Sequence, residues 1–315
     1  MNNVDKPTLF CIDMEVTPKV RFIGHVNYTT PWKHFTRTLN EYVMYLVKSG
    51  ELYIREAGID YCLKRGDILI LEPGIEHTGF KASCCHYYYI HFKHSSICKC
   101  MQKSFDEVCS EMYIRRKLSL LSDVFCENPP TDSISYLPKC YHYKNVSELF
   151  SKLAEVDYIF YQKLENYKRS ASLQLAELLI EISRQYASTA IENSHPQFSK
   201  STLKIRKIIN FLEKSYSSKI TSKDIENLCE SNYDYINRIF QKVTGHTIFN
   251  YLNLIRIKQA MDLIYTTSLK YYEIGYLIGI DDPYYFSKLF KKYTGMTASQ
   301  YAKNKGINKD KPLET

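Results

Sequence analysis

Three things are missing from this sequence. The opening "MNNVDKPTLFCIDMEV" has no basic start followed by an apolar run, which argues against a secretory leader. No apolar stretch approaches the roughly 18 residues of a membrane span. The ten cysteines form no framework, and neither "CCH" at 84–86 nor "HSSICKC" at 94–100 contains a C-x-x-C pair. A chain without these features is expected to work in the cytoplasm, away from membranes, with reduced and mostly buried thiols. At 315 residues and 44% apolar, it is long enough for two domains and rich enough for their cores.

Charge is unevenly spread. Residues 1–199 hold as many acids as bases, so the formal +8 lies entirely within residues 200–315. A basic block beside a neutral one suggests a polyanionic partner for the C-terminal part, although a solvated basic surface would look the same.

That block contains a repeat. "SNYDYINRIFQKVTG" ends at Gly245 and "DDPYYFSKLFKKYTG" at Gly295. Tyr235 answers to Tyr285, Phe240 to Phe290 and Thr244 to Thr294. In the first copy, "TSKD" at 221–224 reads as a cap for a short helix ending near Cys229. Asn232 can cap the next helix, whose apolar face is Ile236, Ile239, Phe240 and Val243. In the second copy, Ile274, Leu277 and Ile278 give the short helix and Gly279 the turn. Asp282 and Pro283 then start a helix that buries Phe286, Leu289 and Phe290. Glycine closes each copy. A short helix, a tight turn and an amphipathic second helix make the helix-turn-helix pattern. Residues 247–265 between the copies read as one connector helix, about 27 Å long. That suits two reading helices in adjacent major grooves, which lie roughly 34 Å apart.

These residues carry a family resemblance. Residues 203–302 resemble the DNA-binding domain of the AraC/XylS regulators, most clearly in "LNLIRIKQAMDLI" (252–264) and "IGYLIGIDDPYYFSKLFKKYTGMTASQY" (274–301). The chain departs from the family pattern at Gly275 (usually Ala), Ile280 (Phe) and Ala298 (Pro). In the first copy, Glu230 stands at the usual turn glycine. The resemblance implies that Asp234, Asn237, Arg238 and Gln241, with Tyr284, Ser287, Lys288 and Lys291, face DNA. Arginine suits guanine, and asparagine or glutamine suits adenine. Arg256 is expected to be structural or to meet phosphate.

From Glu41 to His91 the runs turn β-branched and aromatic between turn signals, which reads as a sandwich or small barrel. "KRGDILILEPGIEH" resembles a conserved stretch of the cupin barrels. The metal-binding cupins usually supply three histidines and an acid. The earlier positions here fall near Arg37, Leu39 and Val43, leaving only His77, so no metal and no other cofactor is expected. The barrel is expected to hold an organic effector instead, such as a sugar, with Trp32, Arg37, Glu41, Tyr45 and His77 as contacts. Residues 146–167 and 169–187 read as two amphipathic helices that either dimerise or pack onto the barrel.

The expected organisation is therefore α+β and multidomain. A cupin-like jelly roll (1–144) is followed by a helical dimerisation segment (145–187) and a linker (188–200). An all-α domain with two helix-turn-helix motifs (201–302) and a tail (303–315) complete it. The implied protein is a non-enzymatic, homodimeric transcription regulator, more often an activator in this family. It would bind duplex DNA and contact RNA polymerase. The alternative is a cupin enzyme or sugar-binding protein with a helical assembly domain.

Overall fold

A computed structural model describes residues 8–101, 103–119 and 133–306. The expected tail therefore lies largely outside the described residues. The chain divides into two compact units, one ending at Ser194 and the other beginning at His195, with residues 114–119 grouped with the second.

The first unit is built on an antiparallel five-stranded sheet. Its order is β12 (Cys140–His142), β7 (Asp67–Leu71), β4 (Tyr42–Gly50), β9 (Ser83–Lys93) and β2 (Lys19–Trp32). A four-stranded sheet faces it: β3 (Arg37–Thr38), β8 (Glu76–Gly79), β5 (Leu52–Glu56) and β6 (Ile59–Leu63). A smaller sheet comprises β10 (Cys98–Lys99), β1 (Leu9–Asp13) and β11 (Ile134–Pro138). The five strands expected between residues 41 and 91 are present; β1, β2, β3, β8, β10, β11 and β12 join them, β8 lying where a turn was expected.

Alternation along a strand explains the layering. Val43, Tyr45 and Val47 face the barrel interior with Leu69, Leu71, Leu52 and Ile54. Met44 and Leu46 face the other way, with Ile68, Ile70, Tyr88 and Ile90. Both faces of the five-stranded sheet are thus covered, which is why "DILIL" is apolar at successive positions.

The outer face is covered by helices. α1 (Phe105–Ser119) precedes α2 (Val146–Gln162) and α3 (Tyr167–Ser194). Leu149, Leu153, Val156 and Phe160 of α2, and Leu175, Leu179 and Ile182 of α3, join the core of that sheet. The apolar stripes of α2 and α3 are therefore engaged by the barrel.

The expected linker at 188–200 is not extended. α3 continues to Ser194 and α4 (Pro196–Ser215) starts after one residue, His195, with φ −137° and ψ 63°. The residue before a proline is pushed out of the helical region, so Pro196 sets that break.

The second unit is helical: α4, α5 (Ser222–Cys229), α6 (Tyr233–Thr244), α7 (Ile248–Thr266), α8 (Tyr271–Leu277), α9 (Pro283–Thr294) and α10 (Ala298–Asn304). Among the described residues, no helix is long and apolar enough to cross a membrane.

Candidate functional site

The two halves of the second unit are built by the same local rules. Thr221 accepts from the Asp224 amide while the Asp224 carboxylate accepts from the Thr221 amide, completing the expected capping box. Asn232 Oδ1 accepts from the Asp234 amide at 3.0 Å, as Asp282 Oδ1 does from that of Tyr284 at 2.9 Å. At the far ends, the Thr244 hydroxyl lies 2.8 Å from the Phe240 carbonyl and accepts from the His246 amide. Thr294 does the same with Phe290 and Met296. Gly245 and Gly295 follow at φ 80° and 78°. Thr247 and Thr297 then cap α7 and α10. The repeat thus extends to "TGHT" and "TGMT".

Turn chemistry separates the copies. Gly279, at φ 77°, ends the first helix of the second copy, and a Cβ there would fall 2.4 Å from the Ser217 carbonyl oxygen. Glu230 occupies the corresponding turn of the first copy at φ 51°, a left-handed conformation that disfavours a side chain. Gly275 also has a local reason: a Cβ would fall 2.9 Å from the Ile280 carbonyl oxygen.

Asp234, Arg238 and Gln241 are exposed on α6, and Tyr284, Ser287, Lys288 and Lys291 on α9. Asn237 differs. It is half-buried, and its Oδ1 accepts the Ile248 amide at 2.9 Å, so it ties α6 to the start of the connector helix. Tyr235 and Tyr285, singled out in the sequence only as equivalents, are 51% and 44% exposed on these helices. Arg256 donates to the carbonyls of Tyr216 and Ser218, which makes its role structural. Burial pulls its pKa below the usual guanidinium range, against the opposing pull of Tyr285 and Asp281. The connector α7 is 19 residues, about 28 Å long.

In the barrel the structure gathers four of the five expected contacts. Arg37 Nε donates to His77 Nε2 at 3.2 Å and Arg37 Nη2 to the Tyr45 hydroxyl at 3.1 Å. Tyr45 donates to His34 Nε2 at 2.8 Å, and His34 Nδ1 donates to the Phe35 carbonyl at 2.7 Å. Burial holds His34 and His77 at about 4, so both rings are neutral near pH 7, and it raises Tyr45 to about 12. Trp32 stacks on Tyr28 at 4.1 Å and meets the His34 ring edge-on. Glu41 is the exception. It is buried, with His91 Nδ1 donating at 2.9 Å and Arg21 beside it.

His34 and His91 were missed. His91 could have been found from alternation, because Ile90 and Phe92 on either side face the helices. Leu39 and Val43 pack among the barrel aliphatics, and a guanidinium occupies the ring nitrogen of His77. Among the described residues, no three His, Cys, Asp or Glu side chains converge as a metal site would require.

Residues 20–183, slightly more than half of the chain, match the AraC-like ligand binding domain. The chain belongs to the AraC family. Residues 231–304 of this AraC-family chain match a helix-turn-helix domain, covering the second helix of the first motif and the whole of the second motif. Over 93 residues it is 37% identical to the uncharacterized HTH-type transcriptional regulator YisR of Bacillus subtilis, spanning 30% of this chain and 32% of that protein. Over 99 residues it is 34% identical to the transcriptional regulatory protein HptR of Staphylococcus aureus, spanning 31% and 39%. These curated relatives are thus matched over well under half of their own length. Among solved structures, the C-terminal domain of the response regulator yesN from Fusobacterium nucleatum is 35% identical. The match covers 30% of this chain and 92% of that one, with a TM-score of 0.29.

Proposed function

We propose that this AraC-family chain is a cytoplasmic, non-enzymatic transcription activator that binds duplex DNA through both helix-turn-helix motifs and answers to a small effector in its barrel. The observation that carries the reading is the duplicated, similarly capped pair α6 and α9, each with exposed polar and basic residues, on one connector helix. Arg238, Gln241 and Asp234 read one groove, and Lys288, Lys291, Ser287 and Tyr284 the next. Asn237 is withdrawn from the base-reading set because its carbonyl is already committed. The protein acts as a homodimer and contacts RNA polymerase when effector is bound.

The effector chemistry follows from the barrel. Arg37 uses Nε and one terminal nitrogen on protein partners, which leaves the guanidinium's other N–H donors for ligand oxygens. Neutral His77 and His34 and the Tyr28–Trp32 stack complete a set suited to hydroxyl-bearing ligands over an aromatic face. A sugar or polyol is the effector we propose.

Selection of bound fragments from the source genome by the full chain tests the DNA reading. The expected result is a two-part site with each part in one major groove, and affinity falling steeply with salt. Recovery of fragments without a shared sequence would overturn it. A thermal-shift screen against sugars tests the effector, since ligand raises the melting temperature by mass action. No shift with any sugar, or a shift that persists in Arg37→Met, removes the sugar reading.

A further inference from the structure

The first unit contains a partly open pocket on the side of the five-stranded sheet away from the barrel interior. It lies between α2, α3 and that sheet and has a volume of about 250 Å³. Val20 and Ile90 form its floor, Leu153 and Val156 one wall and Leu175 the other. Strand alternation separates it from the Arg37 cluster: Ile90 faces this space and Tyr89 packs against the barrel core.

Lys152, Glu155 and Glu177 also line it, and among its apolar residues sits one buried polar atom. Gln174 Oε1 is shielded from solvent and has no hydrogen-bond partner among the described residues. Buried acceptors are seldom left unmade, because desolvation is then uncompensated. The nearby ammonium of Lys152 does not serve it: Lys152 is engaged by Glu181, by Glu148 at 3.5 Å and by Glu177 at 3.7 Å. With Lys152 so engaged, and with Glu155 and Glu177 also on the lining, the site is not set up for an anion.

We propose that this cavity is a ligand site, separate from the barrel, for a small neutral ring compound with one hydroxyl or N–H group. The ring fills the space between the helix pair and the sheet, and the donor meets Gln174 Oε1. A cavity of about 150 Å³ accommodates benzene, so this one suits a molecule on the order of ten heavy atoms. Simple alkylphenols have that size and that single donor. An occupant bridges α2 and α3 to the sheet, on the helix that leads to His195.

The test uses the full chain with 4-ethylphenol and with ethylbenzene, which lacks the donor. Calorimetry is expected to show saturable binding of the phenol, about tenfold tighter than the hydrocarbon. Gln174→Leu should bring the two to equal affinity, and Ala171→Leu, which fills the cavity, should remove both. Methyl resonances of Leu153 and Leu175 should shift on titration, while those of Leu52 and Leu63 in the barrel interior stay in place. The proposal is overturned by no saturable binding, by a preference that survives Gln174→Leu, or by shifts at Leu52 and Leu63 instead. Because Gln174→Leu is nearly isosteric, it decides the matter even if Ala171→Leu does not fold. None of these outcomes depends on DNA binding or on a sugar in the barrel.

Discussion

Arg256 Nε donates to the backbone carbonyl of Tyr216 at 2.8 Å. The same guanidinium reaches Ser218 through Nη2 at 2.9 Å, so one side chain on the connector helix holds the turn that precedes α5. Arg256→Met leaves two carbonyls without a charged donor. It should destabilise the second unit by roughly 2–3 kcal/mol, read as a lower denaturant midpoint for its unfolding. If no phosphate is contacted there, the slope of log affinity against log salt stays as in the parent chain.

The two turn residues predict opposite outcomes. Glu230→Gly relieves a left-handed residue with a Cβ and should stabilise by about 1 kcal/mol. Gly279→Ala drives a methyl against the Ser217 carbonyl and should destabilise by more than that. Thermal melts of the two variants, compared with the parent, check both signs.

For the DNA-reading faces, binding to a panel of single-base variants at two salt concentrations separates the roles. Arg238→Ala should cost about 1–3 kcal/mol at one base pair and relax preference there. Lys291→Ala should weaken every site alike and lower the salt slope by about 1 if it meets phosphate. Asn237→Ala should leave the pattern of base preference intact and lower the melting temperature, because it releases the Ile248 amide.

Acid should loosen the barrel. Burial depresses the folded-state pKa of His34 and His77 from 6.5 to about 4. Between those values the unfolded chain binds more protons, so stability falls as pH drops from 6.5 toward 4. The contribution is fully present above 6.5 and gone below about 4. Melting temperature against pH should show that slope, and it should flatten in His34→Asn.

Much of the second unit was legible in the sequence because its signals are local. A cap, an apolar stripe and a terminal glycine can each be read within a few residues. Asn237 could not be read that way: its spacing places it outward, but its partner, the Ile248 amide, is 11 residues away. The helical stretch 188–194 was hidden by composition. Serine and threonine suggested a loop, yet Ser188, Thr189 and Ser194 each bond back to the carbonyl four residues earlier, which lets them remain helical. In the barrel, the resemblance to the cupins pointed to Arg37, Tyr45 and His77, which lie together. It did not point to His34, because only the fold brings residue 34 against residue 45.

The matched punctuation of the two motifs has a consequence for how such a protein changes over time. Asparagine or aspartate starts each recognition helix, and a threonine, a glycine and a second threonine finish it, whatever lies between. The letters can be rewritten while the brackets stay fixed. On the proposed reading, one half of an operator could therefore drift, and its own helix follow, without disturbing the vocabulary of the other half.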